Sequence, residues 1–267
     1  MNATTTPFDP SRAQARQTLI AHKLARAISD HGLQVHYQPE MDVGQQQVVS
    51  FEALCRWHDP ELNQVAPDEF IAVAEARGQI VALGAEILRM VLADLPQILA
   101  RWPQARVAIN VSGLELAQAD FAAQFLATVD RVQAAYAHHL ELEITESVFH
   151  HDVPTLQHNL QVLKSRGITV AMDDFGTGQS SLSRLHTLPF DKIKMDRSFV
   201  LALGDPMAQA IVKAMVELTQ RFGRTLVAEG VETPEQLSTL QSLGYVLAQG
   251  YLISAPRPLA SLLTWSH

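Results

Sequence analysis

Cysteine is nearly absent from this chain: Cys55 is the only one in 267 residues. No intrachain disulfide can form, which fits a reducing compartment, so a cytoplasmic location is expected. Basic charge is also short. Twenty lysines and arginines face 28 aspartates and glutamates, a formal net charge of −8, which leaves no footprint for duplex nucleic acid. No apolar run is long enough to span a membrane. The most apolar long segment, residues 79–102, is interrupted by Glu86, Arg89, Asp94 and Pro96 and reads as an amphipathic core helix, so no membrane contact is expected. The first ten residues are polar and lack the apolar centre of a signal peptide. Several catalytic signatures are missing too. No Gly-x-Ser-x-Gly elbow supports acyl hydrolysis. Gly176-Thr-Gly178 lacks the Gly-Lys-Ser/Thr ending of a P-loop. The pairs His138-His139 and His150-His151 have no zinc-site spacing and read as surface residues near helix–strand junctions.

What is present is a regular rhythm. The chain is 47% apolar and 18% charged, an ordinary globular balance, and it is long enough to bury a sizeable core. Alternation and turn signals predict strands over 33–38, 46–57, 106–111, 139–145, 168–173, 190–195, 224–230 and 245–247. Helices are expected over 9–31, 67–77, 80–100, 120–136, 153–165, 206–222, 234–243 and 259–265. The first two strands, joined by a short polar connector, read as antiparallel neighbours. After them strand and helix alternate, which implies a mainly parallel sheet. Eight strands without a linker or composition break favour an α/β (β/α)8 barrel over an open doubly wound sheet.

The chemistry concentrates at Thr169-Val-Ala-Met-Asp173-Asp174-Phe-Gly-Thr-Gly178. Neighbouring side chains of a strand point to opposite faces, so both aspartates can face one site only if the strand ends at Asp173 and Asp174 belongs to the loop. The alternative is that Asp174 caps a turn and Asp173 is simply solvated. Other predicted strand ends weigh against that alternative. They carry Gln38, Glu52, Asn110, Glu143, Lys194 with Asp196, Glu229 and Gln249. Parity turns several of these inward, since Leu140, Leu142 and Ile144 alternate against Glu143, and Ile193 and Met195 against Lys194. Carboxylates gathered in a barrel repel one another and lose solvation unless cations neutralise them, and oxygen ligands point to Mg²⁺ or Mn²⁺.

Assembled in order, these residues resemble the EAL domains, bacterial cyclic di-GMP phosphodiesterases. Tyr37-Gln38-Pro39, Phe51-Glu52-Ala53-Leu54-Cys-Arg56-Trp57, Ala108-Ile-Asn110-Val-Ser112 and Glu143-Ile-Thr-Glu146 carry the likeness. So do Asp173-Asp-Phe-Gly-Thr-Gly178, Lys194-Met-Asp196, Val227-Ala-Glu229-Gly-Val-Glu232 and Gln249-Gly-Tyr251. The resemblance covers residues 20–258 and implies a modified TIM (β/α)8 barrel with one antiparallel strand. It implies hydrolysis of cyclic di-GMP to linear pGpG with two Mg²⁺ or Mn²⁺ ions, inhibited by Ca²⁺, which lowers a second messenger of biofilm and motility control. By the same resemblance Glu52, Asn110, Glu143 and Asp173 hold one metal, and Asp173 bridges to a second approached by Asp174 and Glu229. Lys194 orients the attacking water and Glu229 is the general base. Arg56 meets a substrate phosphate, while Gln38, Leu54, Asp196, Glu232 and Gln249 line the substrate or the surrounding shell. Glu146 anchors the loop over 173–182, which in the family carries metal-binding and dimer contacts.

Four positions depart from the common pattern. Glu40 replaces an apolar residue, Cys55 a leucine, Gln179 a tyrosine, and Ala255 a basic residue before Pro256. Gln179 bears on loop packing and dimer coupling, and Ala255 on substrate affinity. A degenerate EAL domain that binds cyclic di-GMP or a protein partner without cutting is the alternative. Such members usually lose the E-A-L glutamate, an aspartate of the loop or the base, whereas Glu52, Asp173, Asp174, Lys194 and Glu229 are all present here. A magnesium barrel enzyme of the enolase type needs a dedicated proton-abstracting Lys or His and leaves the other motifs unexplained. Residues 1–19 are expected to form a tail and the start of a leading helix, with one domain over 20–267. The leading helix resembles the one that joins EAL domains to an upstream regulatory or GGDEF domain. A homodimer is expected by resemblance, and the loop between Asp174 and Leu188 is the expected place for regulation.

Overall fold

The computed structural model describes residues 10–176, 187–245 and 247–266. Its frame is a closed ring of strands β1 Leu33–Asp42, β2 Gln47–Asp59, β4 Arg106–Asn110, β5 Leu140–Thr145, β6 Thr169–Phe175, β7 Lys192–Met195, β8 Thr225–Ala228 and β9 Leu247–Gln249. Pairs from β2 through β9 run parallel, and β1 closes the ring antiparallel to both β2 and β9. The modified barrel with one antiparallel strand is therefore what forms. Two short strands lie outside the ring: β3 Asn63–Val65 extends the β2 edge and β10 Arg257–Pro258 pairs with β1.

The helices follow from local sequence. Along the chain they are α1 Pro10–Ser29, α2 Pro67–Ala76, α3 Ile80–Arg101, α4 Gly113–Leu116 and α5 Phe121–Val132. Then come α6 Val153–Ser165, α7 Arg197–Leu201, α8 Pro206–Arg221, α9 Pro234–Ser242 and α10 Leu259–Thr264. Asp152, Asp205 and Thr233 cap α6, α8 and α9 through side-chain acceptors, each followed by proline in the first turn. The apolar faces of these helices pack on the outward residues of the strands, Val107, Ile109, Leu142, Ile144, Val170, Met172, Ile193 and Met195. A second core joins Ile20 and Leu24 of α1 to Cys55, Trp57, Val65 and Phe70. Burial there pushes the Cys55 thiol up to about 12, so it is an inert core residue.

Several boundaries differ from expectation. The first strand was expected to stop before Pro39 but continues to Asp42. It pairs with β10 through His36 and Tyr37 and with β9 through Glu40 to Asp42. Pro39 stands between the two ladders, where its missing N–H interrupts neither. The expected helix over 120–136 ends at Val132 and continues as a 3₁₀ turn over Ala134–His139. The last ring strand lies at Leu247–Gln249 and not at 245–247, so Gln249 belongs to the strand itself. The short β3, β10, α4 and α7 had no counterpart in the sequence reading, because so few residues show no period.

Candidate active site

The parallel strands all end on one face of the ring, and the polar residues meet there. Lys194, fully buried, lies at their centre. Its Nζ is 2.7 Å from Glu229 Oε1, 2.9 Å from Glu143 Oε2, and 3.4 Å from both Glu52 Oε2 and Asp173 Oδ1. These four carboxylates come from β2, β5, β6 and the residue after β8, so the ring closure itself brings them together. Glu52 is further fixed on both oxygens. Asn110 Nδ2 donates to Oε1 at 2.9 Å and Gln249 Nε2 to Oε2 at 2.6 Å. Gln249 also donates to Gln38 Oε1 at 3.3 Å, and Gln38 Nε2 reaches the Ser254 carbonyl at 3.1 Å. Gly230 follows Glu229 with φ +68°, and a β-carbon there would collide with that of Arg197, so glycine lets the two loops close around the base of the site.

Asp173 and Asp174 converge by a different route from the expected one. The strand does not end at Asp173; β6 runs on to Phe175, with its register to β7 shifted between Met172 and Phe175. Asp174 takes φ 54°, a left-handed conformation that aspartate tolerates better than most residues. The irregularity breaks the alternation of the strand and turns both carboxylates to the same side. One ligand oxygen each from Asp173, Asp174 and Glu229 lies within 4.8 Å of the others.

The electrostatics are those of a site short of positive charge. Burial, reinforced by repulsion from Glu52 and Asp173 and only partly opposed by Lys194, pushes Glu143 well above its ordinary value. Burial likewise carries Glu229 up to about 8 and Asp174 up to about 6, with Asp173 adding repulsion to each. For Glu52 burial also acts upward, but Lys194, Asn110 and Gln249 outweigh it and hold the carboxyl below its usual range. Lys194 is desolvated yet held well above its ordinary value by the carboxylates around it. Among the described residues, Glu143 Oε1 is buried with no hydrogen-bond partner, and Glu143 Oε2 and Asp173 Oδ1 are buried with only the shared Lys194 ammonium beside them. Hard oxygens that share a single ammonium, beside a three-carboxylate cluster, fit a divalent cation and would be costly without one.

Beside this ring lies a cleft of 280 Å³, running from Asn110, Glu143, Asp173 and Asp174 past Leu54 and Arg56 to Pro67, Ile71 and Leu83. It is polar at the ring end and apolar between α2 and α3. Of the remaining residues expected at the site, Glu146 Oε1 accepts from the Gly176 backbone N–H at 3.1 Å. Gln179 and Leu182 lie outside the described residues. Asp196 caps α7 by accepting from Ser198 N–H at 3.0 Å. Glu232 is exposed, and no contact joins its carboxylate to the ring.

Some lining residues were missed in the sequence. Pro67, Asp68, Ile71 and Glu75 of α2 reach the cleft, and Ser112 joins them by donating to Glu75 Oε1 at 2.5 Å. No motif marks them, since a helix face reaches the cleft only once the barrel has closed. A buried group of Glu40, Glu141 and Lys192 below the ring was missed as well. For Glu141 and Lys192 the signal was available, because they stand two positions from Glu143 and Lys194, already placed inward; Glu40 stands two positions from Gln38, which was read only as a strand-end residue.

Comparison with known proteins agrees with this geometry. The family model described as the EAL domain matches residues 21–256. Cyclic di-GMP phosphodiesterase NbdA of Pseudomonas aeruginosa is 38% identical over 247 residues, covering 91% of this chain and 31% of that protein. Cyclic di-GMP phosphodiesterase PdeR of Escherichia coli is 34% identical over 247 residues, covering 91% of this chain and 36% of that protein. The chain thus spans about a third of the length of these relatives. The solved PaMucR phosphodiesterase in complex with c-di-GMP superposes with a TM-score of 0.84 at 33% identity, over 91% of this chain and 99% of that one. By its matched length and its closed barrel, this chain belongs to the EAL domain family.

Proposed function

We propose that this chain is a metal-dependent phosphodiesterase that hydrolyses cyclic di-GMP to linear pGpG. The observation that carries the reading is the carboxylate ring around Lys194, in which one ammonium is shared by four carboxylates beside a cleft that Arg56 lines. Relatives named cyclic di-GMP phosphodiesterases support the substrate. Glu52, Asn110, Glu143 and Asp173 would hold one Mg²⁺ or Mn²⁺, and Asp173, Asp174 and Glu229 a second. Bound there, such ions lower the pKa of water and neutralise the phosphodiester oxygens during in-line displacement. Ca²⁺, which prefers more and longer oxygen contacts, would compete without supporting the reaction.

The protein's own groups divide the remaining work. Arg56 binds a phosphate, and Leu54 and the apolar wall of the cleft take up a base. Lys194 orients the attacking water. Glu229 Oε1 is engaged by Lys194 at 2.7 Å, which leaves its other oxygen to accept the water proton. The chain also forms a homodimer in this reading. Leu201 on α7, and Met207 and Ile211 one turn apart on α8, are 60%, 67% and 45% exposed, and apolar side chains of this size are favoured in contacts between subunits.

The test is pGpG formation from cyclic di-GMP with Mg²⁺, with Mn²⁺ and with chelator, beside Glu52→Ala. Metal-dependent product that falls about a hundredfold or more in the variant is expected. Tight binding of cyclic di-GMP without product in either metal would instead mean a receptor.

A further inference from the structure

Two residues below Gln38, Glu143 and Lys194, on the same inward faces, the barrel carries Glu40, Glu141 and Lys192. Lys192 Nζ lies 3.0 Å from each oxygen of Glu40 and 2.8 Å from Oε1 of Glu141. The other Glu141 oxygen accepts from Thr169 Oγ1 at 3.1 Å. Glu40 is 2% exposed and Glu141 1%. Their strands, β1, β5 and β7, are not neighbours in the ring, so the ion triad crosses the barrel interior where packed aliphatic side chains are usual. An apolar layer of similar volume is commonly as stable as such a triad or more so. Stability therefore gives no reason for it.

Charge does. The layer holds one ammonium against two carboxylates, an uncompensated negative charge about 7 Å beneath the ring, the rise of two strand residues. The two layers feel one another: burial and repulsion from Glu141 leave the Glu40 carboxyl above its ordinary value, although Lys192 and, from the layer above, Lys194 draw it down. We propose that the Glu40–Lys192–Glu141 triad is a positioning device for the active site, whose net negative charge strengthens the binding of divalent cations in the carboxylate ring above it. This rests on the metal-dependent reading of that ring. None of the three touches the cleft, so the triad acts only through the ring. Glu40, which replaces the apolar residue common at its position, makes the device a property of this chain.

Two variants bring the layer to neutrality by different means. Glu40→Gln removes one charge and keeps an acceptor for Lys192. The triple change Glu40→Ile, Glu141→Leu, Lys192→Met makes the layer apolar. Calorimetric titration with Mn²⁺ should show a Kd raised at least about fivefold in both, the least expected when a unit charge about 7 Å from a divalent ion is removed. The Mn²⁺ concentration for half-maximal activity should rise by the same factor. KM for cyclic di-GMP at saturating Mn²⁺ should stay within about twofold, and the metal-free triple variant should melt no lower than the wild type. Mn²⁺ affinity within twofold of wild type in Glu40→Gln would overturn the proposal, whether or not the triple variant folds. Wild-type protein that binds no Mn²⁺ would instead overturn the metal reading of the ring, and this inference with it.

Discussion

The ring around Lys194 holds protons that the proposed metal would have to displace. Asp174 at about 6 and Glu229 at about 8 carry protons at pH values where free carboxyls are ionised, and Glu143 is pushed in the same direction. The cause in each case is first burial and then the neighbouring carboxylates. A cation needs the ionised oxygen, so its binding releases protons, and its affinity should rise with pH, most steeply below about 6, where Asp174 and Glu229 are both protonated, and less steeply from there to about 8. Mn²⁺ titrations at pH 7 in two buffers of different ionisation enthalpy should give different heats. Equal heats would mean that no proton leaves, and would place the ion away from these carboxylates. Asp174 shows how far single residues were legible. Its adjacency to Asp173 was plain, but the turn to φ 54° inside a continuing strand was not, because it depends on the shifted register against β7.

Among the elements, α4 carries a further consequence. Ser112 and Glu115 form a capping box, with Glu115 accepting from the Ser112 N–H at 3.0 Å. The Glu115 carboxylate lies against Gly84 of α3 so closely that a β-carbon would collide with it. Burial pushes Glu115 up to about 7, against the Ser112 N–H, with Glu75 adding repulsion. The folded chain thus keeps a proton that the unfolded chain loses near its ordinary 4.5, so stability falls as pH rises from there to about 7. The loss is on the order of 3 kcal/mol, complete above that range. Glu115→Gln keeps the cap and removes the titration. Its melting temperature should fall less than that of the wild type between pH 5 and pH 8, and parallel profiles would refute the assignment. The 3₁₀ turn Glu146–His150 has a separate effect, since Glu146 holds the Gly176 N–H. Glu146→Ala should lower turnover about tenfold or more by loosening the chain beyond Asp174, with overall stability little changed. An unchanged rate would remove Glu146 from that role. The long helices were legible from their periods and caps, whereas α4, which brings Ser112 to the cleft, was too short to show one.

For the molecule as a whole, the ring is assembled only when the barrel is closed, so under the proposed metal-dependent function cations should stabilise the closed barrel. Mn²⁺ at a hundred times its Kd should add about 2.7 kcal/mol to unfolding and raise Tm by about 5–10 °C. Chelator should reverse the shift, and Glu52→Ala should reduce it. A Tm indifferent to metal would remove the ring as a cation site. The residues of the ring, their order and their parity were determined by the sequence alone. Glu143 against Leu142 and Ile144, and Lys194 against Ile193 and Met195, are local alternations that any strand imposes. What only the tertiary structure decided is which inward residues meet across the interior. Lys194 reaches β2, β5, β6 and the end of β8, Lys192 spans β5 to β1, and α2 lends the cleft its apolar wall. Those contacts join residues up to 152 positions apart. They depend on the closure and stagger of the barrel, which period and composition do not encode.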